Sequence, residues 1–129
     1  ERKVGRCMRK ILVVDDDFAF ATTISVILKN EVTQVITVYN VAGAKKAVED
    51  HQNEIVLVCT DLEMPDGTGF DLLAFVKESR LDIPVIIISG RDDPRYEKKA
   101  LELGVIEYID KSSIRPNDFR LKIRSLLGE

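Results

Sequence analysis

The chain has 129 residues, 45% of them hydrophobic and 32% charged, the make-up of one ordinary globular domain and not of a disordered segment. Its 19 basic and 22 acidic side chains leave a net charge of −3, which argues against binding nucleic acid through bulk electrostatics. No apolar run approaches the ~20 residues that span a bilayer, no signal peptide opens the chain, and neither Cys7 nor Cys59 has metal-ligand spacing.

The expected compartment is therefore the cytoplasm. The chain opens on Glu1 and not on methionine, so a domain cut from a longer protein is expected. Residues 1–9, rich in Arg and Lys, read as a flexible leader to a domain over 10–127. Ile11-Leu12-Val13-Val14 is the first strand, rich in β-branched residues and nearly continuous, as in a parallel sheet covered on both faces. Asp15-Asp16-Asp17 follows it. Phe20, Ile24, Ile27 and Leu28 share one face of a first helix. Val35 to Tyr39 reads as an edge strand, and Ala44, Ala47 and Val48 as the buried face of a second helix. His51, the only histidine, sits at that helix's polar end and reads as exposed and without a role.

Ile55-Val56-Leu57-Val58 is the third strand. It runs through Cys59, read as a small buried residue, to Thr60-Asp61. Pro65-Asp66-Gly67-Thr68-Gly69 is a loop too rich in glycine to be regular. Leu72, Phe75 and Val76 then mark a third helix. Val85-Ile86-Ile87-Ile88 is the fourth strand and ends in Ser89-Gly90. Asp93 as N-cap and Pro94 at the first helical position open a fourth helix carrying Tyr96, Ala100 and Leu103, and Gly104 closes it. Val105 to Ile109 is a fifth, edge strand ending in Asp110-Lys111. Phe119, Ile123, Leu126 and Leu127 share a face of the last helix.

Five strand–helix units with right-handed crossovers give an α/β fold. The expected architecture is a doubly wound, five-stranded parallel sheet of order 2-1-3-4-5 with five helices, a flavodoxin-like three-layer sandwich. In such a sheet every strand's carboxyl end lies on one edge. Asp15, Asp16 and Asp61 should converge there, with Ser89 and Lys111 close by. Crowded carboxylates either take up a proton or share a cation, and hard oxygen ligands suit Mg²⁺. An amine and a hydroxyl facing them offer donors for an anion. Together these groups describe phosphoryl transfer to an aspartate. Taken singly, Asp16 or Asp17 could equally cap the first helix, and Ser89 or Asp61 could be turn residues.

At these residues the chain resembles the receiver domain of bacterial two-component response regulators, the CheY-like family. The matching stretches are Ile11-Leu12-Val13-Val14-Asp15-Asp16-Asp17, Asp61-Leu62-Glu63-Met64-Pro65-Asp66-Gly67-Thr68-Gly69, Ile86-Ile87-Ile88-Ser89-Gly90 and Tyr108-Ile109-Asp110-Lys111. The resemblance implies Asp61 as phosphoacceptor. It implies Asp16 as a direct Mg²⁺ ligand, Asp15 as one acting mostly through water, and the Glu63 backbone carbonyl as a further ligand. Ser89 and Lys111 would bind the phosphoryl group, and Tyr108 would turn inward as Ser89 is drawn to it. The implied partners are a sensor histidine kinase or phosphotransfer protein and an effector or output domain. The effector would read the fourth helix, fifth strand and fifth helix, with a homodimer on phosphorylation a further expectation. The implied role is signalling: the domain catalyses only its own phosphoryl transfer and dephosphorylation, without touching membrane or nucleic acid.

Two features qualify the match. Lys111 is followed by Ser112, where the family has proline, so a trans bond and a locally different loop are expected. Glu63 and Arg91 carry opposite charges beside the site and could pair across it. An aspartate pair after a strand also opens haloacid-dehalogenase-type phosphatases, in which Asp15 would be the nucleophile. A third reading is a receiver fold that serves as an interaction surface without phosphorylation.

Overall fold

The computed structural model describes residues 9–30, 33–91 and 93–128. Strands β1 (Arg9–Val14), β2 (Thr33–Val38), β3 (Ile55–Thr60), β6 (Val85–Ser89) and β7 (Glu107–Asp110) form one sheet in the order β2-β1-β3-β6-β7, every neighbouring pair parallel. Five α-helices connect and flank them: α1 (Phe18–Leu28), α2 (Val41–His51), α3 (Gly69–Glu78), α4 (Pro94–Glu102) and α5 (Pro116–Leu126). This is the expected doubly wound fold. Residues 1–8 of the leader lie outside the described residues, as does Cys7, and Arg9 is already the first residue of β1.

The near-continuous apolar strands are explained by two cores, one on each face. Leu12, Val14, Val58 and Ile87 pack beneath α2, α3 and α4. Their sequence neighbours Ile11, Val13, Leu57, Cys59, Ile86 and Ile88 pack against α1 and α5. Alternate side chains of a strand point to opposite faces, so both parities must be apolar when helices cover both. Burial also sets the Cys59 thiol, which is pushed up to about 12.

Three local expectations need correction. The fifth strand starts at Glu107 and not Val105, because the α4 terminus claims the earlier backbone. Gly104 takes φ +99, and the N–H groups of Gly104 and Val105 turn back to the carbonyls of Leu101 and Ala100 at 3.1 Å each. That closes the helix with a glycine in the left-handed region and takes Val105 out of the ladder. The glycine-rich loop after β3 is regular in part: β4 (Glu63–Met64) and β5 (Gly67–Thr68) pair as an antiparallel ribbon. Thr68 then caps α3 in a reciprocal capping box with Asp71. His51 is half-buried, not exposed. Its Nδ1 lies 3.1 Å from Glu54 Oε1 and 3.4 Å from Lys10 Nζ, where the end of α2 folds back onto the start of β1. Hydrogen bonds from His51 and then Lys10 hold the Glu54 carboxyl below its usual range.

Candidate functional site

The sheet's own hydrogen bonding carries the backbone into the site. The Asp15 N–H donates to the Val38 carbonyl at 3.1 Å, and the Asp61 N–H donates to the Val14 carbonyl at 2.8 Å. Register therefore sets the two acids side by side, one beyond β1 and the other beyond β3. The Asp15-Asp16-Asp17 run divides its work. Asp17 is the N-cap of α1, accepting from the Phe20 N–H. Asp15 is 2% exposed and accepts the Asp17 N–H through Oδ1 at 2.8 Å. Asp16 stays exposed at the rim. One carboxylate oxygen from each of Asp15, Asp16 and Asp61 lies within 4.8 Å of the other two.

Asp61 is fixed through Oδ1, which accepts the Leu62 N–H at 2.7 Å. Its Oδ2 lies 3.2 Å from Lys111 Nζ, and the same ammonium lies 2.8 Å from Asp15 Oδ2. Gly69 packs against this backbone: a Cβ there would fall 2.6 Å from the Asp61 carbonyl oxygen, so only glycine allows the approach. Burial raises the Asp61 carboxyl above the ordinary aspartate range, and the charge of Asp15 adds to it. Lys111 and the Leu62 N–H oppose the rise without cancelling it. Burial pulls the Lys111 ammonium down, but the hydrogen bond with Asp15 and the charge of Asp61 outweigh it, and the group is raised. One buried and one half-buried acid thus share one amine, and negative charge remains in excess.

Asp16, Asp61, Glu63, Ser89, Gly90, Arg91 and Lys111 line an open cleft over these groups. Ser89, 1% exposed at the end of β6, accepts the Arg91 N–H through Oγ at 3.0 Å. Glu63 and Arg91 pair across the rim through two parallel hydrogen bonds of 3.0 and 2.9 Å. Tyr108 does not line the cleft. Its hydroxyl donates to the Arg91 carbonyl at 2.9 Å. Burial raises that hydroxyl above its usual range, and the nearby Ser89 side chain partly offsets the rise. The described residues contain no cis peptide bond, so Lys111–Ser112 is trans, as expected without proline.

Three contributors were not foreseen. Phe20 reads from sequence as a helix-face apolar residue, yet its ring centroid lies 4.6 Å from Lys111 Nζ. Thr60 donates its hydroxyl to the Asp61 carbonyl at 2.9 Å. Asp66 reaches from the β4–β5 turn to accept the N–H groups of Val41 and Ala42 at 2.7 and 3.0 Å, docking the ribbon on the start of α2. Only the last carried a sequence signal, an aspartate in a turn, and its partner lies 25 residues upstream.

The comparisons with known proteins give the family and the fold. The family model for the response regulator receiver domain matches residues 11–124. The two-component response regulator ORR3 of Oryza sativa subsp. indica is 36% identical over 110 residues, covering 84% of this chain and 82% of that protein. Two-component response regulator ARR10 of Arabidopsis thaliana is 32% identical over 102 residues, and the chain spans only 18% of its length. A response regulator receiver domain protein from Clostridium thermocellum superposes with a TM-score of 0.83 at 28% identity, covering 93% of this chain and 94% of that one. Relatives from plants and bacteria share the domain, so the likeness fixes no lineage. The chain belongs to the response regulator receiver domain family of two-component systems.

Proposed function

We propose that Asp61 accepts a phosphoryl group from a phosphohistidine on a sensor histidine kinase or phosphotransfer protein, or from a small phosphodonor. The observation that carries this reading is the pairing of Asp61 with Lys111 at 3.2 Å on the floor of an open cleft, beside two further acids and a buried hydroxyl. An Asp61 carboxylate oxygen attacks phosphorus as the phosphorus–nitrogen bond breaks, and the imidazole departs with the electron pair. Lys111 stands where it can hold an equatorial phosphoryl oxygen, and Ser89 can donate its hydroxyl to another. Water later attacks the acyl phosphate and restores the carboxylate.

The donor set fits Mg²⁺. Asp16 and Asp61 would hold it through carboxylate oxygens and Asp15 would act through water, with the Glu63 backbone carbonyl as the further protein ligand. Bound there, Mg²⁺ supplies positive charge that offsets the charge of the transferring group. The Glu63–Arg91 pair spans the rim and narrows the approach of water.

Residues 10–127 act as the receiver unit, in the cytoplasm, catalysing only this unit's own phosphorylation and dephosphorylation. The phosphoryl group, carrying roughly −1.5 to −2 in place of the carboxylate's single negative charge, draws Ser89 toward it and frees Tyr108 from Arg91 to turn inward. The surface of α4, β7 and α5 changes with it, and an effector, an output domain or a second copy reads the change. The test is incubation with acetyl phosphate and Mg²⁺ followed by intact mass measurement at mild pH. One added phosphoryl group is expected, absent in Asp61→Asn and in EDTA. No uptake by the unaltered protein would leave only an interaction surface.

A further inference from the structure

Lys111 follows β7, yet its ammonium meets the acids that follow β1 and β3. In the sheet order β1-β3-β6-β7, three strand spacings separate β7 from β1. At about 4.8 Å each, that is about 14 Å. The stem of a lysine extends roughly 6 Å from its Cα. The Asp15 side chain and its 2.8 Å contact with the amine span most of the remainder, so the backbone beyond β7 leans back over the sheet edge only slightly, and whatever shapes it there aims the amine.

The bend is a short 3₁₀ turn, Lys111–Ser113, held by its neighbours' side chains. Asp110 Oδ1 accepts both the Ser112 N–H and the Ser112 hydroxyl, each at 3.0 Å. The Ser113 hydroxyl donates to the Asp110 carbonyl at 2.8 Å. The Ile114 N–H closes the turn on the Lys111 carbonyl at 3.4 Å. Three of these four bonds involve Asp110, and they hold the residues on either side of Lys111. Asp110, Ser112 and Ser113 do not themselves line the cleft, although Asp110 stands beside Ser89 in the ladder of β6 and β7. The ammonium at the far end is gripped from both sides, by the two carboxylates above and the Phe20 ring below.

We infer that Asp110 is a positioning residue for the phosphoryl transfer: its carboxylate folds the turn through Ser112 and thereby delivers Lys111 to Asp61. The inference rests on the reading of Asp61 as phosphoacceptor. The role is one of hydrogen-bond acceptance, not charge, because both bonds run to neutral donors on Ser112. An amide oxygen would serve as well as a carboxylate. It acts through Lys111, and not through its ladder neighbour Ser89.

The experiment compares rates of acetyl phosphate uptake in Mg²⁺ for the unaltered protein, Asp110→Ala, Asp110→Asn, Lys111→Ala and the double variant Lys111→Ala/Asp110→Ala. Asp110→Ala should slow uptake by roughly tenfold to a hundredfold, the penalty for a misplaced catalytic group. Asp110→Asn should stay near the unaltered rate. In the Lys111→Ala background, Asp110→Ala should add no further loss. An Asp110→Ala rate equal to that of the unaltered protein would overturn the inference. So would an Asp110→Asn rate as low as that of Asp110→Ala, or an equal loss in both backgrounds. If Asp110→Ala fails to fold, Ser112→Ala carries the test: it removes one of the two bonds to Asp110 and should give a smaller loss, again absent without Lys111. Absence of uptake by the unaltered protein would instead refute the phosphoacceptor reading itself.

Discussion

Replacing Asp61 by Asn should make the metal-free protein more stable, even though it removes the proposed phosphoacceptor. In the absence of Mg²⁺ the site holds three acids against one amine. At an effective dielectric of about 20, two unit charges 4.8 Å apart repel by about 3.5 kcal/mol, so Asp15 and Asp16 together press on Asp61 by about 7 kcal/mol. Lys111, 3.2 Å away, returns about 5 kcal/mol of attraction. The Coulomb balance is a cost of at most about 2 kcal/mol, since exposed Asp16 is screened, and burial of the Asp61 charge adds a further cost of the same sign. Asparagine keeps an oxygen for the Leu62 N–H and loses the charge. The raised Asp61 carboxyl carries the same sign: with a folded pKa above the unfolded one, its contribution is favourable below the unfolded value and is lost as pH rises through the folded value. Thermal unfolding of both proteins in EDTA at pH 7 is the assay. The variant should melt about 3–8 °C higher. Mg²⁺ should raise the melting point of the unaltered protein and do so far less for the variant. A variant that melts lower in EDTA would refute this electrostatic reasoning.

Other outcomes follow from burial and capping. Leu57 is fully buried beneath α1 and α5, so Leu57→Ala should cost about 2–5 kcal/mol in denaturant unfolding at unchanged m-value. Asp66 is held below its usual range by the Val41 and then the Ala42 N–H groups. Its contribution is present above the unfolded carboxyl value and is lost as pH falls through the lower folded one. Asp66→Ala should therefore melt lower than the unaltered protein at pH 7, and the gap should close on acidification. The Cys59 thiol, raised to about 12 by burial, should not react with a thiol reagent at pH 8 in a Cys7→Ser background until denaturant unfolds the chain.

The strands that carry the site were legible because burial on both faces leaves an unbroken β-branched run, as in Val85 to Ile88. Their carboxyl ends then named Asp15, Asp16, Asp61, Ser89 and Lys111 as neighbours, and the structure places all five within one cleft and its floor. What sequence pattern did not show depends on partners distant in the chain. Asp66 reads as a turn residue until α2 is seen to lie against it. His51 reads as exposed because Lys10, its neighbour in space, is 41 residues away. The ribbon of Glu63–Met64 with Gly67–Thr68 is too short to leave a periodic trace. The late start of β7 follows from a backbone bond between Val105 and Ala100 that no side chain announces. Tyr108 was correctly placed on the last strand, but its hydroxyl rests on the Arg91 carbonyl, a group present at every position and so invisible as a signal.

The most direct measurement is reductive trapping. After acetyl phosphate and Mg²⁺, borohydride converts an aspartyl phosphate to homoserine, and peptide mass mapping reads which residue changed. Conversion at residue 61 alone, abolished by EDTA, is the outcome expected from the cleft's geometry. Conversion at Asp15 or Asp16, or none at any residue while Mg²⁺ binds, would contradict it.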